Sequence, residues 1–283
     1  MLNKTLKSRL PLLLSLIAVL ALGKQQVSQA DAVVVVATGA NAAAIQAKVD
    51  EFRNKLGKNN GVGGTFTDGR REVNWDGVPA TALDPFPGDF FVVRSARGIE
   101  FKTPGTRMKV SGDPDTPSFE FADVTALLPS NNKPWGPIEF STFSPSKMFA
   151  TIDSTITEIE FYVPSDPKQH ATIKAFGAVF ADVDLANTTS MTFYDIANQA
   201  IFTYAVPVAA AKSEGLSFVG VVLPENQRAA RIKIVAGSHP VNTLFMDPPP
   251  DGVGIDDVIF SEPLAIQTVN LPFISKLSEY FAR

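Results

Sequence analysis

Short apolar stretches, each interrupted by Gly, Pro, Asn or Asp, make up the sequence from residue 60 to residue 263. The segment 156–163 alternates apolar with polar side chains, which is the pattern of a strand with one buried face. No apolar pattern of helical length and spacing occurs between Gly57 and Glu262. Because turn residues recur at intervals of about ten residues, an antiparallel sandwich or barrel is favoured over parallel βαβ units. We therefore predict an all-β fold, a jelly-roll-like antiparallel β-sandwich over residues 60–263.

Within this domain the alternation and the turn residues divide the chain into individual strands and loops. We predict strands at residues 71–75, 90–93, 99–102, 107–111, 138–143, 148–151, 156–163, 172–183, 190–194, 200–207, 216–222, 231–236 and 254–261. The segment 195–199 is predicted to be the turn of a hairpin. The proline-rich stretches 84–88, 113–117 and 247–252 are predicted to be loops, because strand-like sequence resumes directly on both sides.

Two segments flank the predicted sandwich. Residues 31–59 are predicted to be a lead-in followed by a helix over 40–56, for which Asn41 is a suitable N-cap and Gly57 a suitable end. Residues 264–283 are predicted to be a short C-terminal tail. The apolar side chains of this tail fit either docking on the sandwich or binding to a partner.

Residues 1–30 have the order of a secretory signal peptide. A basic segment without acids precedes an apolar run over 10–22, and small side chains at Ser28 and Ala30 fit a cleavage site. The run is shorter than the roughly 20 residues of a membrane span, and an uncleaved N-terminal anchor is the alternative. Cleavage after Ala30 or after Ala32 fits the sequence. We therefore predict an exported protein, secreted or at the cell surface or in the periplasm, with no stable membrane span once the signal is removed.

Charge and residue types exclude several functions. Removal of residues 1–30 leaves 21 basic and 29 acidic side chains, so the net charge becomes −8, which disfavours nucleic acid and anionic membranes as partners. Without cysteine, disulfides and thiolate metal sites cannot form. The two histidines, His170 and His239, fall in predicted turns, and no Gly-x-Ser-x-Gly motif is present. Acidic residues such as Glu158 and Glu160 are candidates for glycoside hydrolysis by type alone, and we assign no catalytic residue.

Several longer strings carry a resemblance to known proteins. They are REVNWDGVP at 71–79, FPGDFF at 86–91, FGAVFADVD at 176–184, MTFYD at 191–195, LSFVGVV at 216–222 and GIDDVIFSEP at 254–263. Over about residues 45–263 the chain resembles uncharacterised exported bacterial proteins, many of which end in a Pro-Glu-Pro sorting tail, although the tail itself is lacking here. It also resembles the jelly-roll sandwiches of carbohydrate-binding and adhesion modules, in which an Ile-Asp-Asp stretch on a late strand lies near calcium. The resemblance implies a fold and a location but no established reaction.

Four aspartates are candidate metal ligands. Asp256 and Asp257 are adjacent within apolar sequence, and neighbouring strand residues point to opposite faces, so one of the two would face inward. A buried carboxylate needs a partner, and calcium, which takes about six to eight oxygens, is one; the alternative is a hydrogen-bonded strand-end aspartate. Asp182 and Asp184 would share one strand face and need a cation between them, unless they lie in a solvated loop. Calcium is therefore a candidate cofactor.

The two tryptophans, Trp75 and Trp135, are candidates for glycan binding. An exposed indole stacks on the apolar face of a sugar, and the neighbouring Asp76 carboxylate would accept hydrogen bonds from its hydroxyls. A core tryptophan followed by an Asp-Gly turn is the alternative. The sequence thus favours a non-catalytic extracellular or cell-surface protein that binds glycan or matrix, with calcium as a candidate stabilising ion. A carbohydrate-active enzyme on the same fold, a glycoside hydrolase or lyase, and a purely structural envelope or matrix protein are the alternatives.

Overall fold

The computed structural model describes residues 31–112, 140–209, 215–243 and 251–266. Within them the chain forms one α-helix, α1 (Ala42–Leu56), and fourteen strands. The strands are β1 (Val33–Gly39), β2 (Arg70–Val73), β3 (Ile99–Lys102), β4 (Arg107–Val110), β5 (Phe149–Ile152), β6 (Ile156–Val163), β7 (Asp166–Thr172), β8 (Ala175–Ala181), β9 (Ser190–Tyr194), β10 (Ala200–Ala205), β11 (Leu216–Val222), β12 (Arg231–Val235), β13 (Gly254–Ser261) and β14 (Leu264–Ala265).

The strands form two antiparallel sheets packed face to face. The first sheet has the order β1-β11-β8-β13-β5-β4, and β2 also pairs with β13. The second has the order β10-β9-β12-β6-β7-β14, and β3 also pairs with β6. Aromatic rings meet across the interface, since Phe161 and Phe193 of the second sheet contact Phe176 of the first, and Phe161 also contacts Phe260. The predicted all-β antiparallel sandwich is therefore confirmed.

The predicted N-terminal helix is also confirmed, with its ends where the sequence indicated. Asn41 lies at the N-cap, and its side-chain oxygen accepts a hydrogen bond from the Ala44 amide at 3.1 Å. Gly57 follows the last turn with a φ of 86°, a conformation that favours glycine. The preceding strand β1 pairs along its whole length with β11, so the segment before the helix extends the first sheet.

Helix α1 covers the face of the first sheet that points away from the second. Phe52 of the helix packs edge-on against Phe218 of β11, with ring centroids 5.7 Å apart. Gly177 and Gly220 face each other on β8 and β11 directly beneath the Phe52 ring. A β-carbon at Gly220 would lie 2.5 Å from that ring, so glycine is what lets the helix approach the sheet.

Five strands, β3, β6, β9, β11 and β13, have the predicted bounds, whereas other segments differ. Phe90–Arg94 forms a π-helical turn instead of a strand, because consecutive side chains there are buried and do not alternate. Residues 140–143 contain no strand in the described part of the predicted segment 138–143. Predicted strand 172–183 covers the end of β7 and the whole of β8, which are two separate strands.

Strand β7 was not predicted, because its polar, largely exposed sequence has no apolar alternation. His170 consequently lies in a strand and not in a turn, and its ring centroid is 4.5 Å from that of Tyr162 on β6.

Four predicted features lie wholly or mostly outside the described residues, namely the signal peptide at 1–30, the loop at 113–117, most of the loop at 247–252 and most of the tail at 264–283. The described start of that tail, Leu264–Ala265, pairs with β7 as strand β14. None of the helices in the described ranges has both the length and the hydropathy needed to cross a membrane.

Candidate binding cleft at the β13 bulge

Strand β13 carries a β-bulge at Asp256 and Asp257. The pairing with β8 shifts between Ile255 and Val258, so that two aspartates stand opposite one residue of β8. The Ser144 hydroxyl lies 3.3 Å from Asp256 Oδ1 and 2.7 Å from Asp257 Oδ1, which places both carboxyl groups on one side of the strand. The expectation that these neighbours point to opposite faces holds for a regular strand and is wrong for a bulged one.

Asp256 is wholly buried and is held by the protein itself. Its Oδ2 accepts a hydrogen bond from the Phe143 amide at 2.5 Å, and its backbone carbonyl accepts one from Trp75 Nε1 at 2.7 Å. Burial raises the pKa of the Asp256 carboxyl well above its usual range, and the neighbouring Asp257 charge raises it further. The neutral form of this carboxyl is therefore favoured.

Asp257 is nearly buried and faces the C-terminal part of helix α1. Its Oδ2 accepts a hydrogen bond from Arg53 Nη2 at 3.2 Å. Burial raises the pKa of Asp257 to about 6, although the hydrogen bond from Ser144 and the charge of Arg53 oppose the shift. This carboxyl therefore titrates between the usual range of aspartate and neutral pH.

Arg53 joins the helix to two strands of the sheet. The same Nη2 atom that reaches Asp257 also donates to Glu72 Oε2 at 3.0 Å, and Nη1 donates to Asp50 Oδ1 at 3.2 Å. Arg70 Nε donates to the other oxygen of Glu72 at 2.6 Å. The Arg53 guanidinium thus fixes the position of α1 relative to β2 and β13.

The structure corrects the assignment of Trp75 as a sugar platform. Its side chain is 1% exposed and lies parallel to the Phe149 ring, with centroids 4.6 Å apart. The rings of Phe86 and Phe91 make edge-to-face contacts with the indole, with centroids 5.7 and 5.8 Å away. A ring without an exposed face cannot stack on a ligand, so Trp75 belongs to the core, which was the alternative interpretation.

Asp76 has a positioning role beside this core. Its Oδ1 accepts hydrogen bonds from the backbone amides of Ser146 and Lys147 at 2.7 and 3.1 Å. Lys147 Nζ donates in return to the Asp76 carbonyl at 3.1 Å and to the Val78 carbonyl at 2.7 Å. Asp76 therefore holds the loop that carries Ser144 against the bulge. Trp135 lies outside the described residues.

Asp182 and Asp184 lie in another part of the molecule, after the end of β8. Asp182 has a φ of 68°, which is not strand geometry, so the inference that the two side chains share a strand face does not apply. The Asp184 amide donates to Asp251 Oδ1 at 2.9 Å, and the Thr188 hydroxyl donates to Asp251 Oδ2. Asp182 and Asp251 are both buried at this place, and burial raises the pKa of Asp251. The sequence did not single out Asp251, because it follows a proline-rich stretch that indicates a loop.

Hydrogen-bond donors of the protein surround the two aspartates at the bulge that the sequence predicts as calcium ligands. Among residues 31–112, 140–209, 215–243 and 251–266, no group of three or more acidic or histidine side chains is arranged to hold a metal. The oxygens of Asp256 and Asp257 face Ser144, the Phe143 amide and Arg53, which are hydrogen-bond donors. Calcium takes about six to eight oxygens in proteins, and its binding by these aspartates stays a prediction of the sequence.

Beside Asp257 the surface opens into a cleft of about 420 Å³. Its lining consists of eight polar side chains and two apolar ones, Phe143 and Pro145. The polar residues are Gln46, Arg53, Asn59, Glu72, Asn74, Arg97, Ser144 and Asp257. Arg97 lies over the Phe91 ring at 5.3 Å and donates to Ser95, and no carboxylate of the described residues lies within 4.0 Å of it. Burial lowers the pKa of Arg97, as expected of a cation without a counter-charge.

Comparisons with known proteins place the chain in no family. No protein-family model matches the sequence, and no curated protein matches it. A fucose-binding module of Streptococcus pneumoniae is similar at 12% identity and a TM-score of 0.19, over 42% of this chain and 73% of that module. The enzymatically active domain of tailspike protein 4 from bacteriophage CBA120 is similar at 13% identity and a TM-score of 0.28, over 66% of this chain and 22% of that domain. Likeness at this level carries no functional argument, and the resemblance to exported proteins with a sorting tail stays a prediction.

Proposed function

We propose that this chain is an exported, non-catalytic β-sandwich protein that binds a glycan in the cleft beside Asp257. The observation that carries the proposal is the lining of the cleft. Amide groups such as Asn74 and the guanidinium of Arg97 surround it, and Phe143 and Pro145 supply an apolar wall. Its volume of about 420 Å³ suits a ligand of one or two sugar rings.

The chemistry of sugars matches this lining. A pyranose presents neighbouring hydroxyls that donate and accept hydrogen bonds, and its C–H groups form an apolar face. Amides offer one acceptor and two donors, and a guanidinium offers donors in a rigid plane. Asn74 is exposed and Arg97 has no carboxylate within 4.0 Å among the described residues, so both have hydrogen-bonding capacity for a ligand.

Export is part of the proposal and rests on the sequence of residues 1–30. The basic start, the apolar run and the small residues before Ala30 support a signal peptide. Mass determination of the mature protein after expression with its own N-terminus tests this directly. We expect a chain that begins at Asp31 or Val33, and an intact N-terminal Met1 in the exported fraction would contradict cleavage.

A carbohydrate-active enzyme is the second candidate, and one observation favours it. Glu72 and Asp257 each accept from Arg53 Nη2, at 3.0 and 3.2 Å, so their oxygens are within about 6 Å of each other. Glycoside hydrolases use two carboxyl groups at roughly 5 to 9.5 Å, one of which has a raised pKa. Arg53 occupies the space between the two carboxyl groups, however, where the bond to be cleaved would have to lie. Binding without catalysis therefore agrees better with the geometry.

The binding test uses a panel of soluble polysaccharides in affinity electrophoresis, followed by calorimetry with oligosaccharides of the polymer that retards the protein. We expect Asn74→Ala to weaken binding about tenfold, the effect of losing one or two ligand hydrogen bonds. Asn54→Ala is the matched control. Asn54, near the end of α1, carries an exposed amide as Asn74 does, but it does not line the cleft. Equal binding by Asn74→Ala and wild type, or no retardation by any polymer, would refute the proposal. Release of reducing sugar would favour the enzyme.

A further inference from the structure

A second cleft, of about 650 Å³, lies where the β9–β10 turn, the loop before β12 and the β7–β14 pair meet. It combines an apolar surface with amide and guanidinium groups, from Ile196, Ile201, Leu264, Asn226, Gln227 and Arg228. Ile196 is 67% exposed at the tip of the hairpin, so its apolar side chain is accessible to a ligand in the cleft. The cleft therefore offers both apolar contact and hydrogen bonds.

The guanidinium plane of Arg228 has a defined orientation. Its Nε donates to the Thr172 hydroxyl at 2.8 Å and its Nη2 to the Thr172 carbonyl at 2.6 Å. The next residue, Ala229, exchanges two backbone hydrogen bonds with Ile173, at 2.8 and 2.9 Å. Two of the three guanidinium nitrogens are thus bound to β7, and the third, Nη1, has no protein acceptor among the described residues.

Among the described residues, no carboxylate forms an ion pair with Arg228. No carboxylate oxygen of the described residues lies within 4.0 Å of it, and burial lowers its pKa. Asp195 also lines the cleft, but its Oδ1 accepts hydrogen bonds from the amides of Ala197 and Gln199, both at 2.9 Å. A partly buried cation with no carboxylate within 4.0 Å among the described residues favours a ligand that carries a negative charge.

We propose that this cleft binds an acidic sugar, a hexuronate unit of a polysaccharide, through its carboxylate on Arg228. The remaining groups fit the rest of such a ring, because Ile196 and Ile201 contact its apolar face and the amides of Asn226 and Gln227 bond its hydroxyls. A fatty acid would leave those amides without partners, and a neutral sugar would leave the cation without one. The site is separate from the cleft beside Asp257, and either proposal can fail alone.

Calorimetry with the full chain tests the carboxylate. The probes are an oligosaccharide of glucuronic acid and the matching oligosaccharide of glucose, at low and at high salt. We expect the uronate to bind at least about tenfold more tightly than the neutral probe, because a charge-assisted hydrogen bond is about twice as strong as a neutral one. The preference is expected to decrease at high salt. Equal binding of the two probes, or no binding of the uronate, overturns the proposal.

A pair of variants at Ile196 locates the site without risk to the fold, because this side chain is largely exposed. We expect Ile196→Asp to weaken uronate binding about tenfold more than the neutral, similarly sized Ile196→Asn, since it places a negative charge beside the bound carboxylate. We expect Arg228→Gln to abolish the preference for uronate, with its melting temperature measured to detect loss of the Thr172 contacts. Asn74→Ala should leave uronate binding unchanged. Unaltered uronate binding by Ile196→Asp would refute the location.

Discussion

The raised pKa of Asp257 predicts a specific dependence of stability on pH. The group has a pKa of about 6 in the folded protein against an ordinary 3.8, because burial disfavours its charged form. A folded state with the higher pKa binds the proton more tightly than the unfolded state. Its contribution to stability is therefore fully present below about pH 3.8 and is lost as the pH rises through about 6.

The size of the effect follows from the shift. Each pKa unit corresponds to about 1.4 kcal/mol, so the difference between 3.8 and about 6 lowers the free energy of unfolding by about 3 kcal/mol between acid and neutral pH. Asp257→Asn removes this titration while it keeps the size of the side chain. The free energy of unfolding of the wild type minus that of the variant should then decrease by about 2 kcal/mol from pH 4 to pH 8, because the rest of the effect falls below pH 4.

Urea denaturation at half-unit pH intervals measures this difference, and subtraction of the variant removes the titration of groups that do not interact with Asp257. Asp256 is the exception, because the Asp257 charge raises its pKa. Ser144→Ala is a matched perturbation, because the Ser144 hydroxyl donates to Asp257 and lowers its pKa. We expect Ser144→Ala to move the midpoint of the decrease to higher pH. A flat difference between pH 4 and pH 8 would show that the Asp257 carboxyl is solvated, and the arrangement at the bulge would be wrong.

Three further predictions concern the core and the metal. Trp75→Ala should reduce the free energy of unfolding by about 3 to 5 kcal/mol in urea denaturation, since it empties a buried site and leaves the Asp256 carbonyl without its donor; a stable variant that has lost only glycan binding would restore Trp75 as a ligand residue. Gly220→Ala should cost about 1 to 3 kcal/mol, and the cost should decrease when Phe52→Leu makes room for the new methyl group; additive effects in this double-mutant cycle would contradict the close approach. Calcium should raise the melting temperature and a chelator should lower it, because an ion that binds only the folded state stabilises that state by mass action; no shift in either case would contradict the predicted calcium site.

Much of the fold follows from local sequence patterns. Strand β6 could be delimited because its apolar side chains alternate, and β13 because an apolar run is bounded by glycine and proline. Strand β7 could not, because it is almost entirely polar and is held by backbone pairing with β6 and β14. The sequence predicts a strand where the structure has the π-helical turn Phe90–Arg94, because four consecutive apolar residues fit either structure when the core that receives them is unknown.

The candidate site was recognisable only in part. Two aspartates within apolar sequence indicated a buried carboxyl group, and this is what Asp256 and Asp257 are. Their partners could not be foreseen, since the Phe143 amide is 113 residues away in sequence and Arg53 is 204 residues from Asp257. Without knowledge of these donors, a metal ion was a reasonable counterpart for the two carboxyl groups.

The sequence by itself determined the all-β class, a helix predicted over 40–56 and the presence of carboxyl groups that need partners, because periodicity, capping and the apolar neighbours of a residue are local properties. The tertiary structure alone decided how those groups are satisfied. A one-residue register shift between β8 and β13 turns Asp256 and Asp257 to the same side, where Ser144 and Arg53 meet them. It also decided that Trp75 is buried beneath the bulge, because exposure depends on which strands and loops converge on a ring and not on the residues beside it in the chain.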